Sequence, residues 1–303
     1  RIGNVEIIPL LDTAAEAPWT VLFPDVTQEA WAPHKQHLSD DGLTLRLAIS
    51  SFLVRSSGKT VLVDTGIGAK DRPFFPNGRL PEAIAEAGVK LDDIDIVLAT
   101  HIHIDHVGWH TTARDGGFVP TFPKATHVFN RDEWAYWTQP DVAKATPYVV
   151  DCVQPLEGVA DISLVDGEHR LTDELTLLQT PGHTPAHISV AIASAGEAGV
   201  IIGDVCHHPA QVTEGWSPVF DMNPVLSAES REKLLQRIET DRMTVIAGHF
   251  PHPGFGRVVR TEGKRARHGR NRHPRPRNGP SFAPRWRGEG GCPLCAPVAS
   301  VLS

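Results

Sequence analysis

Thr100-His101-Ile102-His103-Ile104-Asp105-His106-Val107-Gly108 places three imidazoles and a carboxylate within six residues, in the spacing H-x-H-x-D-H. Neutral imidazole and carboxylate are the donors that Zn²⁺-like ions prefer. Just upstream, residues 94–99 (Ile-Asp-Ile-Val-Leu-Ala) form a short apolar run rich in β-branched side chains, which predicts a buried strand. The donors therefore sit where a core strand runs out into a loop, and a rigid scaffold can present side chains there. The alternative is four solvated polar residues in a loop, and the rest of the chain weakens it.

Three further donors recur in the same setting. Thr180-Pro181-Gly182-His183 follows the strand-like Leu175–Gln179, Gly203-Asp204 follows Val200-Ile201-Ile202, and Gly248-His249 follows Val245-Ile246-Ala247. Each lies just past an apolar run and beside a glycine, which permits close backbone approach at a crowded turn. One such His or Asp is more often structural. Four strand ends that all carry His or Asp argue for a shared site.

In type, order and spacing these motifs resemble those of the metallo-β-lactamase-fold hydrolases, over roughly residues 1–263. The resemblance implies an α/β (α+β) fold, a four-layer αββα sandwich with metals at one edge. It implies that His101, His103 and His183 hold one divalent ion, that Asp105, His106 and His249 hold a second, and that Asp204 bridges both. Zn²⁺ is the expected metal, with Mn²⁺, Fe²⁺ or Co²⁺ as alternatives. Such a pair can share a hydroxide that is nucleophilic at neutral pH and can polarise the scissile oxygen. Asp105 is then the catalytic candidate, receiving the proton after attack and passing it to the leaving group. Asp64 ends Thr60-Val61-Leu62-Val63-Asp64-Thr65-Gly66, a motif that similar proteins carry beside the metal loop. It is expected to orient a ligand imidazole through the ring's second N–H; the alternative is an Asp capping a turn.

Within the superfamily the chain resembles the lactonase and methyl parathion hydrolase-like branch. The implied reaction is cleavage of a neutral ester or lactone, with a quorum-signal-type lactone favoured and a phosphotriester as the alternative. An iron-dependent dioxygenase and a non-catalytic metal-binding module are the other classes. Glyoxalase II-like thioesterases need a helical domain after the last ligand, and only 54 residues follow His249. Of the other histidines, His187, His207, His208 and His252 read as supporting or surface groups, with substrate contact the alternative for His207 and His208. Cys206 reads as a small buried apolar side chain. Trp19, Phe23 and Trp31 in an irregular stretch over 12–42, and the loop at 72–76, supply aromatics that would make an apolar pocket if they fold over the metals.

Composition bounds the rest. Of 303 residues 41% are hydrophobic, enough for one large α/β domain, and no apolar run approaches a membrane span. Residues 264–303 hold nine Lys+Arg against one Glu, with six Pro and five Gly, which leaves 20 basic and 35 acidic residues in 1–263. An acidic body repels polyanions, which argues against nucleic acid as its partner. The division is therefore a hydrolase domain at 1–263 and a basic tail at 264–303 that reads as disordered. Its abrupt turn to Arg, Pro and Gly is what a shifted reading frame of a GC-rich gene encodes. A basic arm, or half a zinc knuckle built on Cys292 and Cys295 with His268 and His273, are the alternatives. Four cysteines form no disulfide framework and favour a reducing, cytoplasmic setting. The chain starts at Arg1, so a preceding signal segment stays open. Exposed aromatics near the N-terminus suit a lid or a homodimer contact.

Overall fold

The apolar runs pair into two sheets laid face to face. The computed structural model describes residues 1–72, 75–261 and 263–269. Its strands are β1 (Glu6–Pro18), β2 (Thr44–Ser56), β3 (Lys59–Val63), β4 (Ile96–Leu98), β5 (Thr111–Arg114), β6 (Gly117–Pro120), β7 (Thr126–Asn130), β8 (Asp161–Val165), β9 (His169–Arg170), β10 (Leu175–Gln179), β11 (Ile188–Ser194), β12 (Glu197–Ile201), β13 (Thr244–Ile246), β14 (Phe255–Thr261) and β15 (Lys264–His268). Its helices are α1 (Trp19–Leu22), α2 (Leu80–Glu86), α3 (Arg131–Trp137), α4 (Pro140–Ala145), α5 (Pro147–Cys152), α6 (Ala210–Glu214) and α7 (Pro224–Thr240). One sheet runs β1-β2-β3-β4-β7-β8 and the other β15-β14-β13-β12-β11-β10-β9, with β5 and β6 as a separate hairpin.

Strand alternation explains the layers. Val61 and Val63 face the second sheet and meet Leu177, Val190 and Ile201 in the central core, while Leu62 turns outward to α2. In the second sheet Leu178, Val200 and Val245 turn outward to Leu234, Leu235 and Ile238 of α7. Helices α3 to α5 pack Trp134, Trp137 and Val149 against Phe129 beside the first sheet. Strands buried on both faces read as continuous apolar runs, and the result is the four-layer αββα sandwich.

Parallel pairing sets the place of the site. β3 pairs parallel with β4, and β12 parallel with β13. Parallel neighbours end at the same sheet edge, so the segments after Val63, Leu98, Ile201 and Ile246 emerge together. Glycine closes the approach: a Cβ on Gly108 would lie 2.0 Å from the Ile67 carbonyl carbon, and the Gly108 N–H donates to Gly66 O at 2.7 Å.

Two expectations are corrected. Residues 12–42 are not irregular throughout: β1 continues to Pro18 in register with β2, Ala14 opposite Ala48, and α1 and a 3₁₀ stretch over Glu29–His37 follow. A bulge between Leu11 and Thr13 breaks the alternation that would have marked the strand. Trp19, Phe23 and Trp31 pack against one another and Trp216 instead of facing the site. Strand β15 also crosses the boundary drawn at 263, pairing Arg257–Thr261 with Lys264–His268. Arg265 on it reaches Glu232 and Glu239 of α7. The disorder expected for 270–303 and the Cys292–Cys295 pair lie outside the described residues, as do Pro73 and Phe74 of the 72–76 loop. No helix among the described residues is long and apolar enough to cross a membrane.

A buried histidine pair makes the fold acid-sensitive. His110 Nδ1 and His127 Nδ1 lie 2.9 Å apart, both rings fully buried. Burial pushes His127 down to about 4, with only weak opposition from the Phe122 backbone and Asp161. The unfolded chain takes up this proton near pH 6.5 and the folded chain does not. Stability is therefore complete above pH 6.5 and drains away as pH falls towards 4, by roughly 3 kcal/mol for this ring. Urea unfolding between pH 7 and 4.5 should show that slope, and His127→Leu should flatten it; an unchanged slope in the variant would place the sensitivity elsewhere.

Candidate metal centre

His101 and His103 leave β4, His183 leaves β10, and Asp204 sits in the 3₁₀ turn after β12. The chain brings all seven donors together, in two groups. His101, His103, His183 and Asp204 form one, and Asp105, His106 and His249 the other, with donor atoms in each within 4.8 Å of one another.

The spacing is that of a coordination shell. Atoms bound 2.0–2.1 Å from a tetrahedral ion lie about 3.3 Å from one another. In the first group His101 Nε2 and His103 Nδ1 are 3.1 Å apart, His103 Nδ1 and His183 Nε2 2.9 Å, and His183 Nε2 and Asp204 Oδ2 3.2 Å. In the second, His106 Nε2 and His249 Nε2 are 3.3 Å apart, and His249 Nε2 and Asp105 Oδ2 3.5 Å. Asp204 touches both groups, through Oδ2 to His183 Nε2 of the first at 3.2 Å and to His106 Nε2 of the second at 3.3 Å, and through Oδ1 to His249 Nε2 at 3.2 Å. Its Oδ1 is buried without a hydrogen bond. A buried carboxylate oxygen without a hydrogen bond is costly, and a bound cation would satisfy it. The donor set therefore fits a pair of divalent ions.

Four of the five ligand imidazoles are aimed from behind. His106 Nδ1–H donates to Asp64 Oδ2 at 2.9 Å, His183 Nδ1–H to Asp221 Oδ1 at 3.0 Å, and His249 Nδ1–H to the Ala48 carbonyl at 2.8 Å. His101 Nδ1–H donates to Thr100 Oγ1 at 3.0 Å, and that hydroxyl donates to Asp64 Oδ2 at 2.9 Å. In all four, Nε2 faces the centre and is the atom left to bind a metal. Asp64 thus serves two ligands, and it also accepts the Thr100 N–H at 2.7 Å. It does so from a left-handed backbone, φ +61°, which Asp tolerates better than most residues. Asp64→Asn should weaken metal affinity by about 10–100-fold, as read by chelator competition. An unchanged affinity would reduce Asp64 to a turn cap.

Electrostatics prepares the donors unequally. Burial pulls His101 and His103 well below the usual imidazole range, helped by His106 and His183 respectively, so both are neutral. Burial also opposes charge on His106, but Asp204, Asp64 and Asp105 outweigh it and hold it well above that range. His183, likewise opposed by burial, is held at about 9 by Asp204 and Asp221. Asp204 stays well below the carboxylate range despite burial, because His106 and His249 face it. Metal binding must displace the protons on His106 and His183, so affinity should rise with pH up to about 9. Zinc titration in weak buffer near pH 7 should release about two protons from these rings, and release of none would contradict the pairing.

The other histidines divide. His187 Nε2 accepts the Asp204 N–H at 2.9 Å while Nδ1 bonds Thr180 Oγ1 at 2.8 Å. Burial drives His187 down to about 3, so it stays neutral and fixes the Asp204 backbone. Gly203, at φ +54°, leaves room for that ring, since a Cβ would lie 2.5 Å from His187 Nε2. His207 lies 3.2 Å from Asp204 Oδ2 and stacks on His249 at 5.5 Å. His208 instead packs against Trp31, away from the donors. Cys206 is buried in the outer core against α7, as a small apolar group.

Sequence reasoning missed two carboxylates. Asp221 holds His183 and is itself bound by Arg231 Nη2 at 3.3 Å. Glu133 accepts N–H groups of Ile102 and Ala186, both at 3.0 Å, and the Trp137 indole N–H at 2.7 Å, tying the metal loop to the His183 loop. A cue existed for Glu133, which stands three residues after the helix cap Asn130. That spacing reads as local capping.

A cavity of about 320 Å³ opens above the donors. Its floor carries His103, Asp105, His183, Asp204, His207 and His249. Its walls include Val21, Leu22, Leu47, Ile49, Phe75 and Phe220.

The sequence pattern of the Metallo-beta-lactamase superfamily matches residues 45–249. The N-acyl homoserine lactonase AiiA of Bacillus thuringiensis subsp. kurstaki is 21% identical over 225 residues, 69% of this chain and 83% of its own length. The N-acyl homoserine lactonase AttM of Rhizobium radiobacter is 28% identical over 179 residues, 56% of this chain and 63% of its own. Among solved structures, the beta lactamase superfamily hydrolase AbOPH superposes with a TM-score of 0.76 at 24% identity, covering 88% of this chain and 95% of that one. The dizinc quorum-quenching lactonase AidC, with its product bound, superposes with a TM-score of 0.72 at 22% identity over the same shares.

Proposed function

This chain belongs to the metallo-beta-lactamase superfamily, and on that premise we propose that it is a dinuclear metal hydrolase that opens lactones carrying an apolar chain. The observation that carries the reading is the joining of two donor groups by Asp204, which reaches His183 of one and His249 of the other at the floor of an apolar cavity. The curated lactonases similar in sequence support the substrate class.

Bound there, two divalent ions supply an activated water and polarise the ester carbonyl. The chain's own groups do the rest. Asp204, ionised by its histidine neighbours, holds the two donor groups in one geometry. The apolar walls receive the chain and exclude water from the floor. The wall charges Glu16 and Arg72 are already paired, with Arg46 and Asp151, so the cavity favours a neutral substrate. Asp105 lines the cavity and stands 3.5 Å from His249 Nε2 through Oδ2. We assign it the proton transfer: its carboxylate takes the proton left after attack and gives it to the alkoxide as the ring C–O bond breaks.

The test is proton release by the zinc-loaded protein with acyl-homoserine lactones, alkyl lactones, aryl esters and phosphotriesters. Lactones should turn over fastest. A phosphotriester preference, or silence on every lactone with both ions bound, would overturn the substrate reading.

A further inference from the structure

Helix α7 turns a buried cation towards the metal centre. The Arg231 side chain is 3% exposed. Its Nε–H donates to Val205 O at 2.9 Å, in the turn that carries Asp204, and its Nη1–H to Gly215 O at 3.1 Å, just after α6. Its Nη2 donates to Asp221 Oδ2 at 3.3 Å and to Ser227 Oγ at 3.2 Å. A guanidinium presents its donors in a fixed plane, so these segments are held in one relation. Taking a cation out of water is costly, and the carboxylate of Asp221 offsets that cost.

The helix is itself locked to the loop that carries His183. Ser230 Oγ–H donates to Pro181 O at 2.6 Å, and the Asn223 N–H to Gly182 O at 2.8 Å. Gly182 allows that approach, since a Cβ there would lie 2.1 Å from Ser227 N. Asp221 then stands between His183 and Arg231. Its Oδ1 accepts the His183 Nδ1–H at 3.0 Å while its Oδ2 faces the guanidinium. With both oxygens engaged the carboxylate cannot turn, and the His183 ring is fixed with it. A metal-bound imidazole is neutral, so Arg231 remains as the counter-charge of this fully buried carboxylate. The second donor group has its supports on the first sheet instead, where His106 rests on Asp64 and His249 on Ala48 O. The Asp204 backbone N–H is held separately, by His187.

We propose that Arg231 is a positioning residue of the centre. Acting through Asp221, it fixes the His183 ring and so holds the ion of the His101, His103 and His183 group, while the ion of the Asp105, His106 and His249 group does not depend on it. This rests on the two-metal part of the reading above and not on the lactone.

The experiment reads stepwise zinc affinities by chelator competition for Arg231→Met, Asp221→Asn and the two changes together. Each single change should weaken one ion by about 10–100-fold, the usual cost of losing support behind a ligand imidazole, and leave the other within about threefold. Together they should cost no more than the larger single loss, because one residue acts through the other. At one equivalent of Zn²⁺, histidine ¹⁵N NMR of the Arg231→Met chain should show His106 and His249 coordinated and His183 free. General damage to the fold would weaken both ions alike. If Arg231→Met alone does not fold, the double variant removes both buried charges together, which folds tolerate better. It should then match Asp221→Asn in both affinities, and a further loss would overturn the proposal. So would losses that add, equal loss of both ions, no loss of either, or zinc on His183 at one equivalent. An unaltered chain that binds fewer than two zinc ions would instead overturn the two-metal reading, and this proposal with it.

Discussion

Asp204→Asn abolishes the paired centre: the variant retains fewer than two zinc ions per chain and loses activity by about 10³-fold or more. The carboxylate reaches both donor groups, through Oδ2 to His183 of the first and Oδ1 to His249 of the second. An amide offers one good donor oxygen and no charge, so it cannot serve two cations. The fold should survive, because His187 holds the Asp204 backbone N–H and not its side chain. Metal analysis after gel filtration, beside circular dichroism, checks this. Two ions retained with activity within tenfold of the unaltered chain would remove Asp204 from its bridging role.

Asp105→Asn separates binding from turnover. The amide keeps an oxygen that can serve as a ligand but cannot carry a proton at neutral pH. kcat should fall by about 10²–10⁴-fold, the range for loss of a positioned acid–base group, with KM changed only a few-fold. Zinc content should be close to that of the unaltered chain. Steady-state kinetics across pH 6–9 with metal content measured alongside would show it. If zinc content and kcat fall together, Asp105 is a ligand and nothing more.

These outcomes depend on residues that were unequally legible in the sequence. The H-x-H-x-D-H run was plain because its donors are contiguous and follow a strand that is apolar on both faces. His183, Asp204 and His249 could be found because each follows a strand of the second sheet. Their assignment to two groups came from family resemblance, since spacing along a chain does not say which atoms meet in space. Asp221 was invisible: it lies 38 residues from His183 and in no strand or helix. Glu133 carried a local pattern that pointed to helix capping, while its carboxylate serves loops 31 and 53 residues away.

The fold shows the same division. The strands of the central core were legible where short apolar runs precede a donor, as at Leu175–Gln179 and, within two residues, at 94–99. β1 was cut short where a bulge shifts the alternation. Helices α4 and α5 are six residues each and begin at proline, too short for a period of 3.6 to show.

The most direct test is lactone hydrolysis followed as zinc is added to metal-free protein. N-acyl homoserine lactone would be the substrate and proton release the readout, at zero, one and two equivalents of Zn²⁺ per chain. Shared use of Asp204 by both donor groups predicts little turnover at one equivalent and a steep rise to a plateau at two. Full activity at one equivalent, or none at two, would contradict a dinuclear lactone hydrolase.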